Sequence, residues 1–494
     1  MDTKVLKDKI LQLAIEGKLV PQNENDEPAS VILERIKNEK EKLIKDKVIK
    51  KEKSLPDITK EDILFDIPDR WEWCRVGNVC WFINGDRGKN YPSKKDLVDK
   101  GIPFINAGHL VNGEISRIGM NYISEEKYES LSSGKVKNDD IIYCLRGTLG
   151  KNAIVKNINK GAIASSLVII RLVLSESIDI KFLYYFMNSK YELYQRNNFN
   201  NGSAQPNLSA DSVKKFIMPI PPLEEQKRIV AKVDSLFKLI DKLDNNKQDL
   251  LQNISDTRNK VLQLAIEGKL VPQNENDESA SVLLEKIKEK KEQLIKDKVI
   301  KKEKSLPDTT EEDKLFDIPN RWEWCRLGEI GQIIGGGTPS SGNEEYYSDN
   351  GIPWLTPADL RGYGDKYIAN GSRYITELGL QKSSARMLPR GSVLFSSRAP
   401  IGYVVINSKE LCTNQGFKSI VPYVSEMNEY IYYFLKYNTK NIEDMASGTT
   451  FKEISGKGMS EVVIPIPPLE EQKRIVAKVD AIMNYLDILE KEIK

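Results

Sequence analysis

The sequence repeats itself, and this repeat limits what the chain can fold into more than any other feature. Each copy of a repeat folds as the same unit, so the repeat decides the architecture before any local pattern does. The chain is therefore predicted to contain two copies of one structural plan. The longest repeated blocks are LQLAIEGKLVPQNENDE at 11–27 and 262–278, LIKDKVIKKEKSLPD at 43–57 and 294–308, RWEWCR at 70–75 and 321–326, and PIPPLEEQKRIVAKVD at 219–234 and 465–480.

Between these constant blocks the two copies differ. Residues 76–218 and 327–464 share only a few short matching segments, such as GIPF at Gly101 and GIPW at Gly351. A shared fold does not require identical sequences, because protein cores tolerate substitution. The identity of the blocks therefore points to recent duplication, gene conversion, or a surface that is presented twice to one partner.

The order of the blocks predicts a circular arrangement. The C-terminus carries the first half of the central frame and the N-terminus carries its second half. Joined end to start, the two termini would rebuild the central unit. We therefore expect a circular, pseudo-twofold internal repeat with adjacent chain ends.

Apolar residues recur with a heptad spacing in both frames, which predicts a coiled-coil seam. The central helix should run from Leu223 to Glu267, roughly 67 Å at ~1.5 Å per residue, antiparallel to the split pair. A generic dimerising coiled coil is the alternative. The predicted seam residues are Ile229, Val233, Leu236, Ile240, Leu243, Leu250, Ile254, Val261 and Leu264 in the central frame, with Ile475, Val479, Ile482, Leu486, Leu489, Leu6, Ile10 and Leu13 in the split frame.

The segments 32–53 and 283–304 are rich in lysine and glutamate. This composition is typical of a solvated helix or a mobile linker, and a phosphate-facing role is a secondary interpretation.

Composition narrows the class of protein. A chain of 494 residues is too long for one core. Its N-terminus lacks the apolar core of a signal peptide, and its five cysteines form no CxxC pair. We therefore expect a cytoplasmic protein with reduced, structural thiols. The net charge of +2 does not by itself suggest DNA binding.

Short β-type runs alternate with turn signals in both variable regions, and an aromatic helix-like stretch lies late in each. The predicted fold is α+β: two globular mixed α/β domains separated by two long antiparallel coiled-coil helical regions. The predicted boundaries are 1–65 for the N-terminal part of the split helical region, 66–222 for the first variable domain, 223–316 for the central helical region, 317–468 for the second variable domain and 469–494 for the C-terminal helix.

The sequence contains no recognisable catalytic centre. His109 is the only histidine, which excludes histidine-rich metal sites and two-histidine mechanisms. The GxxxxGK[ST], HExxH and GxSxG motifs are absent from the sequence. We therefore predict no catalytic and no metal-ligating residues.

Polar residues of the types that read base edges lie in corresponding loops of both variable domains. Arginine and lysine suit guanine, and asparagine and glutamine suit adenine. The candidate DNA-binding residues are Lys89, Asn90, His109, Arg146, Thr148, Ser203, Gln205 and Asn207 in the first domain, and Thr338, Ser340, Thr356, Arg361, Arg398, Asn414, Gln415, Thr449 and Lys452 in the second.

Several of these motifs together resemble one family. RWEW before a variable domain, GIPWLTPADL at 351–360, CTNQGF at 412–417, GTTFKEIS from Gly448, and the closing IPIPPLEEQKRIVAKVD resemble the specificity subunit of type I restriction-modification systems. The first domain departs from this pattern, with GIPFINAGHL and GSAQPNLS at the matching places.

The resemblance implies a function. Each of the two target-recognition domains would read one half of a split, asymmetric site in double-stranded DNA, and the helical spacer would set the gap. Two methyltransferase subunits would dock on the repeated frame, and restriction-translocase subunits would complete the complex. S-adenosylmethionine, ATP and Mg²⁺ would belong to those partners, with no cofactor in this chain.

Three alternatives remain at this point. The chain could be a non-catalytic two-headed scaffold that binds proteins or glycans, or a nuclease or fused restriction-methylation enzyme. Exchange between the near-identical blocks could also shuffle domains between related genes.

Overall fold

A computed structural model describes residues 2–199, 207–448 and 452–493. The chain divides into two compact units, Met1–Asn246 and Lys247–Lys494. The boundary lies within one long helix, Leu223–Ile266, so the central helical region contributes to both units.

The first unit contains short strands and mostly short helices. Its helices are α1 (Thr3–Ile15), α2 (Ala29–Lys45), α3 (Val76–Val79), α4 (Glu125–Ser130), α5 (Ile180–Phe186), α6 (Lys190–Phe199), α7 (Ala210–Lys214) and the first part of α8 (Leu223–Ile266). Its strands are β1 (Glu72–Arg75), β2 (Cys80–Asn84), β3 (Leu97–Val98), β4 (Ile102–Ile105), β5 (Leu110–Val111), β6 (Glu114–Ile115), β7 (Asn121–Ile123), β8 (Ile141–Cys144), β9 (Asn152–Ile154), β10 (Ala162–Ile163), β11 (Leu167–Leu172) and β12 (Ile217–Ile220).

The second unit follows the same order. Its helices after α8 are α9 (Ala280–Lys296), α10 (Leu327–Ile330), α11 (Glu377–Gln381), α12 (Asn428–Met445), α13 (Gly456–Glu461) and α14 (Leu469–Ile493). Its strands are β13 (Glu323–Arg326), β14 (Gly331–Gly335), β15 (Tyr347–Ser348), β16 (Ile352–Leu355), β17 (Tyr367–Ile368), β18 (Arg373–Ile375), β19 (Val393–Ser397), β20 (Ile401–Asn407), β21 (Cys412–Thr413), β22 (Lys418–Pro422) and β23 (Val463–Ile466).

Each variable domain contains two larger sheets, which confirms the predicted mixed α/β character. In the first unit the strand orders are β2-β11-β8-β9 and β10-β4-β7-β3. In the second they are β14-β22-β19-β20-β17 and β15-β18-β16-β21. The sheets β10-β4-β7-β3 and β15-β18-β16-β21 each contain one parallel pair, β10 with β4 and β21 with β16.

The constant blocks close each variable domain at its base. β1 from the RWEW block pairs antiparallel with β12 from the PIPP block, with Glu72 opposite Ile220. β13 and β23 pair in the same register, with Glu323 opposite Ile466. The segments that enter and leave a variable domain are therefore neighbours, and different sequences can lie between them.

A buried polar network joins three constant blocks in the first unit. Trp71 Nε1 donates to Glu225 Oε2 at 3.0 Å, and Gln22 Nε2 donates to Glu225 Oε1 at 2.7 Å. Arg228 Nη2 donates to Asp26 Oδ2 at 2.7 Å. Glu225 is only 1% exposed, so these donors satisfy a carboxylate that burial would otherwise penalise.

The second unit repeats this network with matching residues. Trp322 Nε1 donates to Glu471 Oε2 at 3.1 Å, and Gln273 Nε2 donates to Glu471 Oε1 at 2.7 Å. Arg474 Nη2 donates to Asp277 Oδ2 at 2.7 Å. The repeated sequence blocks therefore correspond to repeated contacts.

The ends of α8 follow from the local sequence. Pro221 and Pro222 precede its first turn, where Glu224 and Glu225 complement the helix dipole. Gly268 follows its last turn with φ +71°, the left-handed conformation that glycine adopts after a helix. A side chain at Gly268 would also lie 2.5 Å from Pro319 Cγ, so only glycine fits there.

Within each unit the helix pairing is antiparallel. In the first unit Lys7 Nζ lies 2.6 Å from Asp241 Oδ1, while Gln22 contacts Glu225. In the second unit Arg258 Nη1 lies 2.6 Å from Glu490 Oε2, while Gln273 contacts Glu471. Residue numbers rise along one partner as they fall along the other, so the partners run in opposite directions.

Most of the predicted seam is buried or half-buried, but its middle is not. The buried seam residues are Ile10, Ile229, Val233, Ile240, Ile254, Val261, Ile475, Val479 and Leu486, and the half-buried ones are Leu6, Leu13, Leu236, Leu264, Ile482 and Leu489.

Leu243 and Leu250 correct the seam prediction, since their exposures are 59% and 47%. In the first unit α1 begins at Thr3, just before the Lys7–Asp241 pair, so its contact with α8 ends near Asp241. The heptad pattern continues beyond the partner helices.

The lysine-rich segments are partly ordered rather than only solvated. α2 buries Ala29, Ile32 and Ile36, and α9 buries Ala280, Leu283 and Ile287. These residues belong to the main hydrophobic cores of their units. Among the described residues, no helix combines the length and apolarity that crossing a lipid bilayer requires.

The seam gives a test of the packing. Ile229→Ala should lower the free energy of unfolding by about 2–5 kcal/mol, because it removes a fully buried side chain. Leu243→Ala is the matched control and should change it by less than about 0.5 kcal/mol. Urea unfolding followed by circular dichroism measures both, and equal losses would contradict the assignment.

Candidate nucleic-acid interface

In the first variable domain, three chain segments meet beside a hairpin loop. The loop joins β8 to β9 and exposes Arg146 and Thr148. The Leu145 N–H donates to Ser166 O at 2.9 Å, and the Leu208 N–H donates to Leu145 O at 3.0 Å. We call residues 145–151, 164–167 and 207–208 the first junction.

The second variable domain builds the same arrangement from different residues. The Ser397 N–H donates to Gly416 O at 2.7 Å, and the Ile454 N–H donates to Ser397 O at 3.1 Å. Arg398 follows Ser397 in the loop between β19 and β20. Residues 397–400, 414–417 and 453–454 form the second junction.

A fourth segment contacts each junction. A side chain at Gly85 would lie 2.6 Å from Ala164 O, and a side chain at Gly336 would lie even closer to Asn414 O. Only glycine permits these approaches, and they bring the next exposed residues to the junction. Arg87 Nη2 donates to Ser165 O at 3.4 Å, and Thr338 Oγ1 donates to Gln415 Oε1.

Asp86 orders the loop that carries Arg87 and Lys89. Its carboxylate accepts from the Gly88 N–H at 2.8 Å and from the Ser132 N–H at 2.9 Å. These backbone hydrogen bonds hold the pKa of Asp86 below its ordinary value. The loop is therefore fixed from within, and its cations remain exposed.

The residues predicted to bind DNA in the first domain differ in their exposure to solvent. Arg146, Thr148 and Lys89 are exposed, and Asn207 forms a backbone bridge with Arg146. Asn90 Nδ2 donates to Ser130 O at 2.8 Å, so it also ties its loop to a neighbouring turn. The predictions for Ser203 and Gln205 lie outside the described residues.

His109 corrects the prediction of a base contact. Its ring is 5% exposed. Nδ1 accepts from the Asn106 N–H at 3.1 Å, and Nε2 lies 3.1 Å from Gly119 O. Both ring nitrogens are used to hold the segment between residues 106 and 119, so the role of His109 is structural.

In the second domain, Thr338, Gln415 and Arg398 come together at the junction. Ser340, Arg361 and Lys452 are exposed in loops. The half-buried Asn414 accepts from the Gly416 N–H at 2.9 Å and shapes the turn. The prediction for Thr449 lies outside the described residues.

Thr356 is a second correction. It is 5% exposed, and its hydroxyl donates to Asp359 Oδ2 at 2.7 Å. It caps the 3-10 turn Pro357–Leu360, which explains why a polar residue occurs there without facing solvent.

Sequence reasoning missed three charged residues at the junctions. Glu453 accepts from Lys418 Nζ at 3.0 Å and lies 3.6 Å from Arg398. Arg87 lies two residues before the predicted Lys89. Aligning Gly85 with Gly336 would have placed Arg87 opposite Thr338 and identified it.

Two kinds of reactive group bear on catalysis in the structure: clusters of potential metal ligands and cysteine thiols. Among the described residues, no group of three or more His, Cys, Asp and Glu side chains lies close enough to hold a metal ion. All five cysteines are free and buried. Burial raises the pKa of the Cys80 thiol to about 12, so it stays protonated at neutral pH.

Comparison with known proteins identifies the family. The family described as the type I restriction modification DNA specificity domain matches residues 68–253 and 319–494. The two matches cover more than half of the chain and include both variable domains.

The chain belongs to the type I restriction-modification specificity family.

Individual family members align over most of the chain. The EcoAI specificity subunit of Escherichia coli is 29% identical over 99% of this chain and 90% of its own length. The EcoEI specificity subunit of Escherichia coli is 30% identical over 66% of this chain and 61% of its own length. The EcoAI alignment thus spans nearly all of this chain and most of that relative.

Solved structures share the fold. A chain from a structure of type I R-M complex assembly and conformational transition has a TM-score of 0.58 at 23% identity, over 87% of this chain and 94% of that chain. The HsdS subunit from Thermoanaerobacter tengcongensis has a TM-score of 0.52 at 22% identity, over 87% and 93%. Likeness at this identity supports the fold alone.

Substitutions of Arg146 and His109, both in the first variable domain, should have different effects. Arg146→Ala should weaken binding of this chain to its own DNA site by roughly 5–150-fold, the range for losing one specific base contact. His109→Ala should instead lower the free energy of unfolding by about 1–3 kcal/mol, because it unpairs buried polar groups.

DNA titration and thermal unfolding of both variants test this difference. The assignment is wrong if His109→Ala alters base preference while leaving stability unchanged.

Proposed function

We propose that this chain is the DNA-reading specificity subunit of a type I restriction-modification complex, in which each variable domain reads one half of a bipartite, asymmetric site. The observation that carries this proposal is that the two junctions share their backbone hydrogen bonds but differ in the side chains they present. Arg87 and Ser165 in the first correspond to Thr338 and Gln415 in the second.

This difference suits two half-sites of different sequence. Arginine donates two hydrogen bonds to a guanine edge, and glutamine pairs with adenine. The hairpin tips differ as well: Arg146 precedes Gly147 and Thr148, whereas Arg398 precedes Ala399 and Pro400. One scaffold with two sets of exposed residues would therefore read two unrelated short sequences.

The helical frame would serve as spacer and docking platform. α8 connects the two units through 44 residues, and we propose that the coiled coil formed with α1 and α14 sets the gap between half-sites. Two methyltransferase subunits would dock on the repeated frame. The circular, pseudo-twofold arrangement stays a prediction.

Chemistry would belong to other subunits. We propose that this chain is non-catalytic, and that the partners carry S-adenosylmethionine, ATP and Mg²⁺. Restriction-translocase subunits would join the methyltransferases in the full complex, which would methylate adenine and cleave DNA.

The alternative is a two-headed scaffold that binds proteins, which the net charge of +2 favours over a DNA binder. Salt dependence separates the two. Phosphate contacts make DNA affinity fall steeply as salt rises, whereas a protein scaffold should show no salt-dependent DNA binding.

The first experiment is a map of methylated adenines in cells that produce this chain together with the methyltransferase encoded beside it. We expect a split, asymmetric motif with a constant gap. Replacing residues 76–218 with those of a relative should change one half only, and replacing 327–464 is the matched control for the other half. A change in both halves of the motif after either exchange would refute the proposal that each variable domain reads one half.

The spacer gives a second prediction. Inserting one heptad after Leu250, which is 47% exposed, should lengthen or misphase the recognised gap, since DNA half-sites are read about one turn of ~34 Å apart. The substitution Leu250→Ala controls for the local change. An unchanged gap in the methylated motif would show that the length of the helical region does not set the gap between the half-sites.

A further inference from the structure

The hairpin loop of the first junction packs against helix α6. Arg196 lies in the last turn of α6, and its Nη1 donates to Leu149 O in the loop at 3.0 Å. Gly150 follows in the left-handed conformation, with φ +78°, and a side chain there would lie 2.6 Å from Arg196 Cζ. The loop backbone therefore lies directly on the guanidinium, just after the exposed Arg146 and Thr148.

A buried carboxylate orients the Arg196 side chain. Arg196 Nε donates to Glu192 Oε1 at 3.0 Å, one helical turn away. Glu192 is 2% exposed and also accepts from the hydroxyl of Tyr143 on β8. Burial raises the pKa of Glu192, whereas the positive charge of Arg196 lowers it. The pair therefore holds the guanidinium at the place where it meets the loop.

A second face of α6 is fixed to the base of the domain and to the constant frame. Gln195 Nε2 donates to Ile217 O at 2.9 Å, and the Ile217 N–H donates to Gln195 Oε1 at 2.7 Å. Ile217 belongs to β12, the strand that pairs with β1. The Tyr191 hydroxyl donates to Glu16, the residue that follows α1. Helix α6 thus connects the loop to the helical frame.

The second variable domain has similar packing without the charge. Gly402 takes the place of Gly150 after the second hairpin tip, with φ +103°. A side chain there would meet Thr439 of α12, whose methyl carbon is the nearest atom. The Thr439 hydroxyl donates within its own helix, to Leu435 O at 2.8 Å. Both hairpins therefore rest on a helix through a glycine, but only the first rests on an arginine.

Arg196 is placed to hold the loop rather than to read DNA itself. Its side chain is 20% exposed, and its Nε and Nη1 are both engaged within the chain. Arg146 and Thr148 at the hairpin tip are exposed. A bidentate contact with a base edge fixes the direction of two hydrogen bonds at once, so the residues that make it must themselves be held in place.

We propose that Arg196 is a positioning residue for base recognition in the first half-site. It holds the backbone of residues 145–151 on α6, so that Arg146 and Thr148 are presented at a fixed place relative to the helical frame. This rests on the proposed function, which makes the hairpin loop a DNA-reading element. Because Arg196 holds the loop and not the DNA, its loss should change the discrimination between bases but not the number of phosphates contacted.

The test compares Glu192→Gln, and the double variant Glu192→Gln with Arg196→Met, against wild type. The full chain, produced with the methyltransferase encoded beside it, is titrated with duplexes that carry the methylated motif or single base changes in either half. In the double variant, the preference for the correct bases should fall by roughly fivefold or more in the first half. The second half is the internal control and should keep its preference.

Glu192→Gln is the matched control for the buried charge. Its amide oxygen still accepts from Arg196, and the bond from Arg196 to Leu149 remains, so first-half preference should stay closer to that of wild type. The double variant removes both charges and leaves neither one buried alone, and thermal unfolding checks that it folds. Hydrogen exchange in residues 145–151 without DNA should be faster in the double variant than in Glu192→Gln.

The outcomes separate this proposal from the proposed function. Unchanged first-half preference in a folded double variant, or equal losses in both halves, would overturn the positioning role. A uniform loss of affinity, with a salt dependence reduced by about one phosphate contact, would show that Arg196 binds the DNA backbone instead. If wild type shows no sequence-specific DNA binding, the proposed function fails, and unchanged loop exchange would then show that Arg196 does not hold the loop either.

Discussion

The two compact units depend on a buried carboxylate that the constant frame must satisfy. Glu225 at the start of α8 accepts from Trp71 and Gln22, and Glu471 at the start of α14 accepts from Trp322 and Gln273. Burial raises the pKa of each glutamate, while these donors lower it. Loss of one donor would leave part of a buried carboxylate unsatisfied, at a cost of about 1–3 kcal/mol, which favours keeping these residues together. This constraint explains why the repeated blocks are scattered along the sequence but meet in space.

The junctions of the variable domains are stabilised by backbone hydrogen bonds, whereas the constant frame is stabilised by side-chain hydrogen bonds. Their junctions are held by backbone N–H and carbonyl groups, as between Leu145 and Leu208 or between Ser397 and Ile454. Backbone hydrogen bonds do not depend on side-chain identity, so exposed residues can change while the loops keep their places. β1 with β12, and β13 with β23, fix entry and exit in the same register. The two variable domains can therefore differ in sequence while their entry and exit strands keep the same pairing.

Two kinds of sequence prediction failed for identifiable physical reasons. Heptad periodicity assigned Leu243 and Leu250 to a seam, but a periodic face is buried only where a partner helix lies beside it. Residue type assigned His109 and Thr356 to base contacts, yet both side chains are used to satisfy buried backbone or cap a turn. Polar residues in loops serve local structure as readily as they serve ligands. Arg87, by contrast, was missed because its importance comes from the glycine that precedes it.

The sequence by itself determined the duplication, the mixed α/β class, the family and the approximate bounds of α8, since repeats, helix signals and motif order are properties of the linear chain. Tertiary structure alone decided which polar residues meet. The junction joins segments far apart in sequence, as Arg87 with Ser165 and Arg398 with Glu453, and no local pattern encodes their distance. It also placed Arg196 of α6 against the Leu149 carbonyl, because a contact between a helix and a loop exists only once both have packed onto one frame.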